Sequence, residues 1–252
     1  QVGKTPGGVF FLYWGKRKSG DGDTSCGNTL INAVMVWAFF MRLKEIVKQA
    51  HQMLMGDDNV VASSTYVLPY IKDLERWITN LGFKPKINIR PTVATLEYCS
   101  GYFYQINDAP SKLAFCWGPK VGKAGLKLGW NKNTPFDDPF NAARHLRGVA
   151  MGLDQQTNHV PILRAIIKRY LQLTNAVLAT PKYEHHQIRA RKSHPATPEI
   201  MDQFYELYGL TVEDIKAMEE EVSTANFGQK LSHPGWDWII ERDSPLKPLK
   251  EI

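Results

Sequence analysis

The chain has 252 residues, 43% hydrophobic and 11% aromatic, a composition that excludes a disordered segment and suits one or two folded domains with a substantial core. Three cysteines, Cys26, Cys99 and Cys116, are odd in number and far apart, which argues against a disulfide framework and for a reducing compartment. The net charge of +6 is unevenly held: 1–130 and 140–195 each carry +7, whereas 196–252 carries −7, so the first two blocks suit a polyanion and the last does not.

Residues 1–14 alternate weakly and predict a strand or entry segment with a turn at Gly7-Gly8. A glycine-rich loop, Ser19-Gly20-Asp21-Gly22-Asp23, then opens a long predicted helix from Thr24 to about Gln52, in which Leu30, Val34, Ala38, Phe39, Arg42 and Ile46 recur at three- and four-residue spacing. Its longest apolar run, Ala33 to Met41, is nine residues, short of the roughly twenty of a membrane span, and no signal peptide is evident. Thr24 and Asn28 are four apart and share one face, so with Ser19 they make a polar row able to hydrogen-bond a ribose or a base. The loop and helix start also offer free N–H groups to a phosphate.

Met55-Gly56-Asp57-Asp58-Asn59 follows, between the apolar runs Met53–Met55 and Val60–Ala62, and predicts a strand–turn–strand with two adjacent carboxylates at its tip. Like charges this close repel unless a cation lies between them. Hard oxygen donors on a tight glycine turn suit magnesium or manganese, and magnesium chemistry is above all phosphoryl transfer. Next come a predicted helix from Tyr66 to Asn80, a strand near Lys86–Arg90 and a hairpin over Ala94–Ile106. The Pro-, Gly- and Asn-rich stretch Ala109–Pro139 reads as irregular, with a strand at Ala114–Trp117. Helices are predicted over Phe140–Leu153 and Pro161–Ala179, then from starts at Thr197-Pro198-Glu199 and Thr211-Val212-Glu213-Asp214.

The loop-to-helix pattern Ser-Gly-x-x-x-Thr-x-x-x-Asn, followed about thirty residues later by Gly-Asp-Asp, resembles motifs B and C of viral RNA-dependent RNA polymerases, most closely those of tombus- and noda-like positive-strand RNA viruses. Tyr98-Cys99-Ser100 resembles the core of motif E, the primer grip, and Lys84-Pro85-Lys86 sits where motif D carries its lysine. The resemblance implies an α+β fold: a partial polymerase palm over residues 1–110, an antiparallel sheet with flanking helices, then a mainly helical thumb and tail over 111–252. It implies template-directed RNA synthesis by two-metal nucleotidyl transfer, with Mg2+ or Mn2+ on Asp57 and Asp58. Ser19, Gly20, Thr24 and Asn28 would meet the nucleotide, and Lys84, or else Lys86, would protonate the leaving pyrophosphate.

Cys99 and Ser100 would then lie near the product strand, with Lys120, Lys123, Arg144 and Arg147 as further RNA contacts. Arg144 and Arg147 are three apart, and Arg164 and Lys168 four apart, so each pair shares a helical face that a thumb would turn toward RNA. Partners implied are RNA template and product, nucleoside triphosphates and the remainder of a viral polymerase, with no transmembrane segment in this chain. The expected location is the host cytoplasm, in a membrane-associated replication complex held through regions outside this chain. No Asp or Glu precedes Asp21, so the aspartate of motif A has no counterpart upstream of motif B and the chain reads as a fragment, inactive alone. A non-catalytic RNA-binding module and a reverse transcriptase are the alternatives; Asn28 argues against the latter, which blocks the 2′ position with a bulky residue.

Other motifs fail on spacing. Gly118 to Lys123 lacks both the four-residue spacer and the following Ser or Thr of a P-loop. Asp21-Gly22-Asp23 has Cys26 at the sixth calcium-loop position and no closing glutamate. His185, His186 and His194 lack a cysteine or a second spaced pair nearby, and read as a solvated basic loop rather than a zinc site.

Overall fold

A computed structural model describes residues 2–5, 7–12, 14, 22–43, 50–109, 112–128, 138–178 and 194–244. Ser19, Gly20, Asp21, His185 and His186 lie outside them. Mixed helix and small antiparallel sheets make the fold α+β. The chain forms two compact units, Gln1–Ile89 and Arg90–Ile252. The hairpin over Ala94–Ile106 therefore packs with the helices that follow it.

In the first unit, β1 (Val2–Lys4) and β2 (Phe10–Leu12) pair as an antiparallel ribbon whose Val2, Phe10 and Leu12 are exposed. Helix α1 (Thr24–Arg42) buries Val36, Phe39 and Phe40 against Val67 and Leu74, as its apolar spacing demands. It ends at Arg42, ten residues before the expected Gln52, and His51–Met55 is instead β3, paired with β4 (Asp58–Ala62) in the register Met55↔Asp58.

The predicted helix from Tyr66 is a 3-10 turn, Thr65–Tyr70, followed by α2 (Ile71–Asn80); Pro69 inside the turn has no N–H to give an α-helix. Trp77 Nε1 on α2 donates to the Met35 carbonyl at 3.1 Å, and the Arg42 guanidinium lies 4.3 Å over its ring. The strand expected at Lys86–Arg90 is not formed. Ile87 packs on the α1–α2 core while its neighbours are exposed, so one inward residue meets the alternation with no partner strand.

The second unit begins with a three-stranded antiparallel sheet of β5 (Glu97–Tyr98), β6 (Gly101–Ala109) and β7 (Lys112–Pro119). After it come α3 (Val121–Lys127), α4 (Pro139–Thr157), α5 (Leu163–Leu173), α6 (Pro198–Tyr208), α7 (Val212–Thr224) and α8 (Gly235–Asp243). Tyr102, Tyr104, Leu163, Ile167, Phe204, Met218 and Ile239 are among its fully buried residues. Much of the stretch expected to be irregular is thus β7 and α3. Its glycines serve close packing rather than looseness: a Cβ on Gly118 would lie 2.5 Å from Val160, and one on Gly122 would lie 2.7 Å from the Ile239 carbonyl oxygen.

Helix starts follow the sequence with one change of partner. Asp138 caps α4 by accepting from Phe140 N at 2.9 Å, and Thr211 with Asp214 forms a capping box on α7. Thr197, expected to cap α6, instead donates its hydroxyl to the Gln105 carbonyl at 3.1 Å, while Gln203 donates to Ala94 and Phe103. Helix α6 is stitched to the sheet by these bonds.

Candidate active site

The two-residue turn Gly56-Asp57 joins β3 to β4, with a positive φ of 63° at Gly56 and none at Asp57, the pattern of a type II′ hairpin. Glycine reaches that conformation at no steric cost. Both Asp57 and Asp58 are exposed. The turn rests on α1: Thr29 Oγ1 accepts from Gly56 N at 2.7 Å, and Asn32 Nδ2 donates to the carbonyls of Gly56 at 3.3 Å and Asp57 at 3.1 Å. Asn59 Nδ2 completes the set by donating to Asn32 Oδ1 at 3.1 Å.

Thr24, Asn28 and Asn32 are each four apart, so they line one face of α1. Asn28, half-buried rather than in the core, stands four residues, about 6 Å of rise, from Asn32, which grips the acidic turn. Thr29, Asn32 and Asn59 were not singled out from sequence, although Asn32 extends the Thr24–Asn28 row at the same spacing. Lys84 and Lys86 are both exposed in a segment without regular structure.

A second cluster forms in the other unit. Cys99 and Ser100 make the two-residue turn between β5 and β6 with φ of 48° and 61°, a type I′ turn built without glycine. The start of α3 holds this turn: Lys120 N donates to the Ser100 carbonyl at 3.1 Å and Lys123 Nζ to Ser100 Oγ at 2.6 Å. Lys120 is itself buried, its Nζ 2.8 Å from Glu97 Oε2 and 5.1 Å over the Tyr102 ring. Burial alone would depress its pKa, but the Glu97 carboxylate and Tyr102 outweigh that and hold it above the ordinary lysine value. Tyr98 and Phe103 stack at 6.1 Å, while Tyr102 and Tyr104 are wholly buried.

A family model described as viral RNA dependent RNA polymerase matches residues 2–206. The chain belongs to that family. It is 25% identical over 234 residues to an RNA-directed RNA polymerase of Pariacoto virus, covering 89% of this chain and 23% of that protein. It is 35% identical over 103 residues to the RNA-directed RNA polymerase of Pothos latent virus, 40% of this chain and 13% of that protein. The chain therefore spans less than a quarter of the length of either polymerase.

Polymerases of this family use divalent metals. Asp57 and Asp58 offer exposed, hard oxygen donors of the type magnesium or manganese takes. Among the described residues no group of three or more His, Cys, Asp or Glu gathers to hold an ion. Helix α1 is by length and composition apolar enough to cross a bilayer. In this unit its Thr29 and Asn32 hold the acidic turn and its Val36, Phe39 and Phe40 form the core.

Of the two helical pairs expected to face RNA, Arg144 with Arg147 and Arg164 with Lys168, the three arginines have internal partners. Arg147 donates to the carbonyls of Leu171 and Thr174 at 3.2 and 3.1 Å, closing the C-terminal end of α5. Arg164 pairs with both oxygens of Glu219 at 2.9 and 3.0 Å, and Arg144 Nε donates to the Leu178 carbonyl at 3.2 Å.

Proposed function

We propose that this chain carries the metal-binding, nucleotide-recognising and product-holding parts of a viral RNA-dependent RNA polymerase, and that the polymerase makes RNA on an RNA template by nucleotidyl transfer. The attachment of the Gly56-Asp57 turn to the Asn28 face of α1 supports this reading most directly, because a reaction at one nucleotide needs its carboxylates and its ribose contacts on one rigid frame. Residues 1–110 correspond in this reading to a partial palm and 111–252 to a thumb and tail.

Asp57 is the principal metal ligand and Asp58 its support. A bound magnesium or manganese would neutralise charge on the transferring phosphoryl group, and a second ion needs an opposing carboxylate from elsewhere in a longer polymerase. Asn28, with Ser19, Gly20 and Thr24, meets the ribose and phosphates of the incoming nucleotide; the 2′-hydroxyl is what separates RNA from DNA substrates. Lys84 gives a proton to the leaving pyrophosphate. Cys99, Ser100 and Lys123 face the product strand, with Lys120 as their buried support.

Exposed Leu30, Val34, Trp37 and Met41 recur along α1 as an apolar stripe, which supports contact with the remainder of the polymerase. In this reading that remainder also carries any attachment to host cytoplasmic membranes. The test is Asp57→Asn in a polymerase carrying this chain. Incorporation should fall about a thousandfold, the equivalent of the few kcal/mol a metal contributes to the transition state, while RNA affinity stays within about twofold. Undiminished incorporation would show the acidic pair to be structural and leave a non-catalytic RNA-binding module as the better reading.

A further inference from the structure

A two-stranded ribbon is marginally stable in water, and the tip of β3–β4 carries two adjacent carboxylates that repel each other. Left to itself, such a turn would not hold either carboxylate to the fraction of an ångström that a metal site needs. What fixes it comes from α1. Thr29 Oγ1 donates to the Ser25 carbonyl at 2.7 Å and accepts from Gly56 N at 2.7 Å, so its one proton and a lone pair are both used. Asn32 takes the Gly56 and Asp57 carbonyls with its amide nitrogen and offers its oxygen to Asn59. Both backbone polar groups of Gly56 and the carbonyl of Asp57 are thereby held by one helix.

We propose that Thr29 and Asn32 are positioning residues for the reaction: they fix the height and tilt of the Asp57–Asp58 turn against the α1 face that carries Asn28. Neither touches the nucleotide or a metal. They act by making the carboxylates and the Thr24–Asn28 row parts of one body, so that a nucleotide ordered by the row is already in register with the acids. This inference rests on the polymerase reading given above.

Two measurements test it. In the metal-free 252-residue chain, amide hydrogen exchange at Gly56 should quicken about tenfold in Thr29→Val, the loss of roughly one hydrogen bond, and return in Thr29→Ser, with amides of α2 unchanged. In a polymerase carrying the chain, Thr29→Val and Asn32→Ala should each lower kcat about ten- to a hundredfold, as loss of an outer-shell partner does, with KM for nucleotide and RNA affinity within about twofold. Thr29→Ser should restore kcat. Unchanged exchange at Gly56, or faster exchange with wild-type kcat, overturns the proposal. Should Asn32→Ala unfold the unit, the two Thr29 variants carry the test alone. Asp57→Asn run alongside separates the two readings: if it is inactive while Thr29→Val keeps full kcat, only the positioning role falls, and if it is fully active the polymerase reading falls with it.

Discussion

The two hairpin turns of this chain solve the same geometric problem in opposite ways. Gly56-Asp57 puts glycine at its positive-φ position, leaves its side chains in water and is braced by polar side chains of a neighbouring helix. Cys99-Ser100 puts two non-glycine residues at positive φ and is clamped by backbone and lysine contacts from the start of α3. The first turn presents its acids to solvent on relaxed backbone. The second stores strain, which persists only because its surroundings over-determine it. Gly101, next to it, is the enabling residue, since a Cβ there would run into the Gly118 carbonyl and the Trp117 ring.

The sharpest way to break this contrast is Gly101→Ala. It should cost about 3 kcal/mol or more by forcing β6 and β7 apart, and a thermal melt would register it as loss of the second unit. A comparable effect should come from acid, acting on that unit through a buried histidine. His159 is buried beside Tyr104, at 5.6 Å between ring centres, and burial, with His194 nearby, lowers its pKa from 6.5 to about 4 despite a bond to the Trp117 backbone. Between those values the unfolded chain binds the proton and the folded one does not, so stability falls as pH drops from about 6.5 to 4, by up to about 3 kcal/mol. Amide exchange resolved by segment should show 90–252 loosening over that range, and His159→Gln should flatten the dependence.

Smaller differences separate the turns themselves. Gly56→Ala, where the added Cβ meets nothing within 4 Å, should cost only the backbone penalty of about 1–2 kcal/mol. Cys99→Gly, by relieving the positive φ of a residue with a side chain, should be neutral or stabilising by up to about 1 kcal/mol in chemical denaturation. The smallest effect is on salt dependence. Lys123→Ala should reduce the slope of log RNA affinity against log salt by about 0.7–0.9, one phosphate contact. Arg147→Ala should chiefly destabilise the α4–α5 pair by about 1–2 kcal/mol, because its hydrogen bonds go to Leu171 and Thr174. A slope change equal to that of Lys123→Ala would instead give Arg147 a direct role on RNA.

Local signals made much of this legible. The acidic hairpin follows from Gly-Asp-Asp between apolar runs, α1 and α4 from their three- and four-residue spacing, and the start of α7 from Thr211-Val212-Glu213-Asp214. What misled was residue chemistry with two uses. Glycine at 118 and 122 reads as a loop but serves close approach, and the alternation at Lys86–Arg90 reads as a strand but buries only Ile87. Helix α8, which begins at Gly235 after Pro234, is absent from the sequence-based expectations; its burial of Ile239 and Asp243 depends on α3 and Tyr208.

The sequence by itself determined which residues could do chemistry: adjacent carboxylates on a glycine turn and a threonine–asparagine row at helical spacing. These are decided by neighbours a few residues away, where spacing and side-chain type suffice. Only the tertiary structure decided that Thr29 and Asn32 brace the acidic turn, that Lys120 is buried on Glu97 while Lys123 reaches Ser100, and that Arg147 and Arg164 are engaged inside the fold. Those partners lie about twenty or more residues apart in the chain. A donor's choice among distant acceptors is fixed by packing, which periodicity along the sequence does not encode.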